Sequence, residues 1–191
     1  MSTQPKTFLS EAQYLEIERQ AEYKSEYLNG EMFAMSGARA AHNLLVANLI
    51  IELGQQLRPR RCPVFPSDLR VRVKPGGLYT YPDVIALCGE PRFLDEQQDT
   101  LLNPQLIVEV LSPSTEAYDR GRKFELYQAL ESLREYVLVA SDRIHVDLYV
   151  RQTDGRWMLT SADRTEDSLT LESVNAQLKL NGLYQNIDLA G

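Results

Sequence analysis

Asp83, Glu109 and Lys123 are the residues of this chain whose types and settings could do chemistry together. Glu109 interrupts the apolar run of Leu106, Ile107, Val108, Val110 and Leu111, the pattern of a strand covered on both faces. Strand side chains alternate, so Glu109 shares a face with Ile107 and Leu111. A lone buried carboxylate is costly unless a cation or a proton neutralises it. The other reading of Glu109 is a sheet-edge position that water reaches. Asp83 opens a second apolar strand, running to Cys88 and entered through Tyr81-Pro82. Acids on neighbouring strands can bring oxygens so close that both stay charged only beside a cation. Magnesium suits such a pair, because it takes hard oxygen ligands and keeps several waters. A divalent ion there can polarise a phosphate and lower the pKa of a water nucleophile.

Lys123 enters through the segment that follows. Projected at helical spacing, residues 117 to 133 place Leu126, Tyr127 and Leu130 on one side, with Phe124 and Leu133 at its margins. Lys123 falls between Leu130 and Tyr127, and Asp119 between Leu126 and Lys123, while Arg122, Glu125 and Gln128 point away. An Asp-Lys pair four residues apart thus turns toward the sheet that the helix covers. An ammonium in that position can orient a water or stabilise charge on a pentavalent phosphate. Two acids at strand ends and an amine are what phosphodiester hydrolysis needs.

The elements that must position these groups can be read in order. Ser10 and Gln13 have the spacing of a capping box and start a short helix over residues 10 to 20. Asn29-Gly30, between Tyr23–Leu28 and Glu31–Met35, predicts a hairpin. The longest helix spans residues 39 to 57, with Ala41, Leu44, Leu45, Leu49, Leu53 and Leu57 at core spacing, and Arg58-Pro59 stops it. Val64 to Lys74 reads as one extended segment, closed by the Lys74-Pro75-Gly76-Gly77 turn. After the central strand and helix, Tyr136 to Ala140 is a strand. Ile144 to Val150, Trp157 to Ser161 and Leu169 to Leu171 form a β-rich tail. The β–α–β unit from 105 to 140 should be parallel and right-handed. An α/β fold on a mixed sheet follows.

Composition bounds the rest. The chain has 191 residues, 43% apolar and 25% charged, enough for one α/β domain with a real core. A formal charge of −7 argues against a non-specific nucleic-acid coat protein, though an acidic enzyme can carry a local basic groove. Cys62 and Cys88 are the only cysteines, and they read as reduced thiols in a cytosol, with no zinc-site spacing. No apolar run is long enough to span a bilayer, and no signal peptide is apparent, so the expectation is a cytoplasmic protein with no membrane partner.

Tyr81-Pro82-Asp83-Val84, then Pro104 to Thr115 with the sequence PQLIVEVLSPST, then Asp119, Lys123 and Tyr127, then Glu135-Tyr136 together resemble the Uma2 family. This former domain of unknown function, abundant in cyanobacteria, belongs to the PD-(D/E)XK nuclease superfamily. The resemblance runs in order over about residues 8 to 185, which implies a single domain over residues 1–191. It implies a restriction-endonuclease-like core: a mixed β-sheet flanked by helices, with a β-rich C-terminal part. It also implies a divalent ion, Mg2+ or Mn2+, held by Asp83 and Glu109, with a lysine completing the site. The superfamily usually places that lysine two residues after the glutamate, where this chain has Leu111. A lysine supplied from the next helix is a known variation, and Lys123 is the candidate. The family often has Gly-Glu where Gly30-Glu31 stands, so Glu31 is either a further metal ligand or an exposed strand acid. His42 falls where the family tends to carry a histidine, with a structural, supporting or base role open to it.

Other residues carry less. His145 reads as surface or packing. Asp68 either lines the cleft or belongs to a Ser67-Asp68 turn. Arg70, Arg72 and Lys74, with Arg58, Arg60 and Arg61 nearby in sequence, either hold phosphates or form a solvated strand face. Ser112 and Ser114 lack a nucleophile-elbow setting and a positioned histidine, and the Ser112-Pro113-Ser114-Thr115 stretch more simply caps the next helix or shapes the cleft. Two functional classes follow. One is a magnesium-dependent endodeoxyribonuclease acting on DNA, for which a homodimer is the natural state because a symmetric pair of sites cuts both strands. The other is a catalytically inactive nuclease-fold module with a regulatory or nucleic-acid-associated role.

Overall fold

The computed structural model describes residues 8–189. Its first third holds helix α1 (Glu11–Glu18), the hairpin β1 (Ser25–Leu28) and β2 (Glu31–Ala34), and helix α2 (Ala40–Leu57). Five short strands follow: β3 (Val64–Pro66), β4 (Arg70–Arg72), β5 (Leu78–Thr80), β6 (Val84–Ala86) and β7 (Thr100–Leu101). The central strand β8 (Leu106–Leu111) leads into α3 (Glu116–Tyr118), a π-helical turn (Asp119–Lys123) and α4 (Phe124–Tyr127). The chain closes with β9 (Glu135–Ala140), β10 (Val146–Arg151), β11 (Trp157–Ala162), β12 (Ser168–Leu171), β13 (Ala176–Lys179) and α5 (Leu180–Leu183).

Local chemistry accounts for the early elements. Ser10 Oγ accepts from the Gln13 N–H while Gln13 Oε1 accepts from the Ser10 N–H, so the capping box closes α1 as expected. Asn29 and Gly30 both have positive φ, 50° and 97°, the demand of a two-residue turn whose twist matches its strands. Along α2, Leu45, Leu49, Leu53 and Leu57 recur at four-residue spacing and are fully buried.

Two sheets stack in the molecule. The first has the order β2-β1-β5-β4-β7, and the second β11-β10-β9-β8-β6-β3; β12 and β13 form a separate pair. β8 and β9 run parallel, joined by the helical crossover, whereas β6 is antiparallel to β8. One core lies between the second sheet and α2, with β12, β13 and α5 completing it. A second core fills the space between the sheets: Val71 and Leu78 from the first, Ile85, Ile107 and Leu138 from the second, and Tyr127 and Leu130 from the crossover. Helix α1 covers the outer face of the first sheet through Tyr14, which packs on Tyr27 and Tyr79. This is the mixed α/β architecture expected, with its β-rich C-terminal part.

Three expectations need correction. Val64 to Lys74 is not one strand: the chain turns at Ser67-Asp68, so β3 joins the second sheet and β4 the first. Residues 117 to 133 are not one helix, because it ends at Tyr127 after its π turn, and Leu130 and Leu133 are buried beyond it. Cys62 and Cys88 are not separate thiols but a disulfide, with 4.4 Å between Cα atoms. The antiparallel register that sets Val64 opposite Ala86 also brings residue 62 opposite residue 88, a non-local pairing that the spacing of two cysteines does not reveal. Closing a loop with a sequence separation of 26 removes unfolded-chain entropy worth about 3.5 kcal/mol. Denaturant unfolding with and without reductant should show a loss of that size, matched by Cys88→Ser. Equal stability in both conditions would contradict the linkage.

Candidate active site

The register of β6 and β8 builds the acidic half of the site. Val84 stands opposite Val108 and Ile85 opposite Ile107, so Asp83, one residue before β6, lies opposite Glu109. Paired residues of an antiparallel ladder share a face, and here it is the face of Ile85 and Ile107, toward the space between the sheets. Glu109 is thus buried, at 4% exposure, and not at an edge. Asp83 sits nearer the surface, with a side chain 16% exposed. Its Oδ2 accepts the Val110 N–H at 2.7 Å and lies 3.2 Å from His42 Nε2. His42 Nδ1 is buried and makes no hydrogen bond among the described residues.

The π turn supplies the cation. Such turns are rare and recur at functional sites; this one comprises Asp119–Lys123 and buries both end residues. Lys123 Nζ lies 2.9 Å from Glu109 Oε1, 3.2 Å from Glu26 Oε1 and 3.6 Å from Asp119 Oδ1. Tyr127 OH donates to Glu109 Oε1 at 2.7 Å, and Tyr136 OH donates to the Asp119 carbonyl at 3.1 Å. The Asp-Lys pair therefore faces inward, as the helical projection places it.

Glu26 escaped the sequence reading, which took its hairpin acid from Glu31. The antiparallel pairing of Tyr27 with Tyr79 and Leu28 with Leu78 sets Glu26 opposite Thr80, whose hydroxyl donates to Glu26 Oε1. Alternation along Ser25–Leu28 gave the faint signal: Ser25 and Tyr27 are buried against α1, leaving Glu26 for the other face. Glu31 is half-buried at the start of β2, and the carboxylates gathered around Lys123 are Glu109, Glu26 and Asp119 instead.

Charge in this space does not balance. Burial works against the Lys123 ammonium, but Glu109, Glu26 and Asp119 outweigh it and hold its pKa well above the ordinary lysine value. Burial pushes Glu109 up to about 8 against the pull of Lys123, and the charges of Asp119 and Asp83 add to the rise. Burial raises Asp119 as well, against the same ammonium. Glu109, Glu26 and Asp119 outnumber the single ammonium, and in the metal-free protein burial keeps a proton on Glu109, which reduces that excess by one.

That deficit is also a test of whether a divalent ion fits. Asp83 and Glu109 are hard oxygen donors on facing positions of one ladder. Their hydrogen bonds fall on Oδ2 and Oε1, leaving Oδ1 and Oε2 to meet a cation. No three His, Cys, Asp or Glu side chains among the described residues gather as a metal-holding group. Two carboxylates on facing ladder positions are the donor chemistry accepted by an ion that fills the rest of its shell with water, as magnesium does.

The remaining candidates lie elsewhere. Asp68 is on the surface, 3.0 Å from Lys24. His145 Nε2 lies 3.1 Å from Asp147 Oδ1, in a network with Arg120 and Ser161 that packs the crossover on β10. Ser112 Oγ bonds both Ser114 Oγ and Thr115 Oγ1 just before α3. The basic stripe is neither a phosphate cradle nor a solvated face at Arg70, which is 3% exposed. Its guanidinium donates to Thr100 Oγ1 and Tyr81 OH and pairs with Asp99 at 2.9 Å. Tyr81 passes the link to Glu18 of α1. Arg72 is half-buried, while Lys74, Arg58, Arg60 and Arg61 are exposed.

The model of Uma2, described as "Putative restriction endonuclease", matches residues 11–182. The chain belongs to the Uma2 family. Two Synechocystis proteins, both uncharacterised, are close in sequence to this Uma2 chain. One, sll1609, is 39% identical over 152 residues, 80% of this chain and 86% of that protein. The other, slr1290, is 36% identical over 179 residues, 94% and 93% respectively. A crystal structure described as a "putative nuclease belonging to DUF820", from Anabaena variabilis, superposes with a TM-score of 0.73 over 92% of this chain and 97% of that one. At 17% identity that likeness speaks for the fold alone, which is restriction-endonuclease-like. No helix among the described residues is long and apolar enough to cross a membrane.

The proton on Glu109 has a measurable consequence. The folded protein holds it up to about pH 8, whereas an unfolded chain releases it near the ordinary carboxyl value of about 4.3. Between those values the native state binds more protons than the unfolded one, so stability falls as pH rises. In chelator-treated protein, Glu109→Gln should flatten this slope between pH 5 and 8. An unchanged slope in the variant would contradict the protonated carboxyl.

Proposed function

We propose that this Uma2 protein is a metal-dependent endonuclease that hydrolyses phosphodiester bonds in DNA, with Asp83 and Glu109 holding the ion. The observation that carries the reading is the facing pair of Asp83 and Glu109 with the Lys123 ammonium 2.9 Å from Glu109. A bound Mg2+ or Mn2+ would supply Lewis acidity toward the scissile phosphate and a lower pKa for an attacking water.

The chain's own groups divide the remaining work. The Val110 N–H and His42 fix the Asp83 carboxylate, so its free oxygen is aimed before any ligand arrives. Tyr127 and Lys123 fix Glu109 in the same way. The Lys123 ammonium provides positive charge beside the acids, where a phosphate would otherwise be repelled. The buried floor of Tyr127, Tyr136 and Leu138 keeps water away from the inner side of the cluster, which strengthens each charge interaction in it.

A second reading, a nuclease-fold module without turnover, draws on one observation. The Lys123 side chain is 6% exposed and already met by three carboxylates, so its charge is largely spent within the protein. Calorimetry and plasmid nicking separate the two. The endonuclease reading expects Mn2+ binding in the wild type, lost in Asp83→Asn and Glu109→Gln. It expects nicking to disappear in both variants and to fall about 100- to 1000-fold in Lys123→Met. Metal binding without nicking of any DNA would sink the enzyme and leave the module.

A further inference from the structure

Strand β11 is one outer edge of the six-stranded sheet. Its six residues, Trp157–Ala162, include no charged side chain and no proline, and Met158 and Leu159 are 53% and 51% exposed. A bare edge presents unpaired N–H and C=O groups to any passing strand. Proteins that stay monomeric blunt such edges with brevity, charge, proline or a covering segment. The other edges of the two large sheets carry these devices: β3 is three residues long and ends at Pro66, β2 begins at Glu31, and β7 has two residues. β11 is six residues long with neither charge nor proline, and among the described residues it pairs with β10 alone.

We propose that β11 pairs antiparallel with the β11 strand of a second copy of this chain, joining the two six-stranded sheets into one across a twofold axis. The exposed groups of an edge strand call for another strand, and three features select a copy of this one. β11 is uncharged, so doubling it sets no like charges opposite each other, in a chain whose net charge of −7 otherwise repels its own kind. A twofold axis normal to the sheet sets one residue opposite its own counterpart. When that residue is Leu159, the two exposed leucines meet. Within the strand the same register sets Met158 of each copy opposite Thr160 of the other and Trp157 opposite Ser161, so only neutral side chains face each other. Leu159 shares a face with Tyr149, its neighbour on β10, so the new contact continues the core built on Tyr149, Phe124 and Trp157.

This inference is independent of the nuclease reading and is tested without metal or DNA. Sedimentation velocity of the full chain should show a particle of two 21.8 kDa chains. Leu159→Lys, at an exposed position that leaves the fold intact by circular dichroism, should shift it to monomer. Met158→Lys should weaken the dimer about tenfold, and combining it with Thr160→Glu, which stands opposite in the other copy, should restore the wild-type dissociation constant. A wild type that stays monomeric overturns the proposal, and that is also the result if the edge serves a strand of a different protein. A dimer untouched by Leu159→Lys and Met158→Lys overturns it too, because another surface then makes the contact.

Discussion

One buried ammonium sets the terms for the centre of this molecule. Lys123 meets carboxylates from β8, from β1 and from its own π turn, so a single cation ties both sheets and the crossover between them. Burying an ion is costly, and a pair in low dielectric repays that cost only when geometry and hydrogen bonds are good. Here Tyr127, Thr80 and Tyr136 supply the bonds around the charges. The π turn belongs to the same constraint: it presents Asp119 and Lys123 together on the buried side, at the expense of regular helix geometry. Such a departure persists where surrounding contacts outweigh it.

A second buried cation does comparable work one layer out. Arg70 binds Thr100, Tyr81 and Asp99, and Tyr81 and Arg19 carry the network into α1 and the loop before β7. The residue after Tyr81-Pro82 is Asp83, so the segment that anchors α1 also delivers the acid of the candidate site. Position of the site thus depends on polar groups satisfied in the interior, with hydrophobic contacts filling the space between them.

Much of this was readable in the residues, and the failures share a cause. Periodicity located α2, the Asn29-Gly30 hairpin and the central strand, because each is decided by neighbours in sequence. It also turned Asp119 and Lys123 inward, since helical spacing is nearly preserved through a single π turn. Strand alternation gave Glu109 its face. What stayed hidden was strand pairing. Glu26 joins Lys123 only because β1 pairs with β5, Cys62 meets Cys88 only because β3 pairs with β6, and Arg70 is interior only because β4 lies between β5 and β7. The deciding partners, Thr80 for Glu26, Cys88 for Cys62 and Thr100 for Arg70, lie beyond any local window of sequence, and an alternating charge pattern looks the same on a solvated face as on an internal network.

The most direct measurement is the stability of Lys123→Met against the wild type by urea unfolding, across pH and in the presence of chelator. Removing the ammonium leaves the buried Asp119 and the half-buried Glu26 without a counter-charge, beside a Glu109 that already holds its proton. The account predicts a loss of about 3–5 kcal/mol near neutral pH, recovered in part as acid protonates Asp119, whose pKa burial already raises. A loss below about 1 kcal/mol, the worth of an exposed ion pair, or one that does not change with pH, would contradict it.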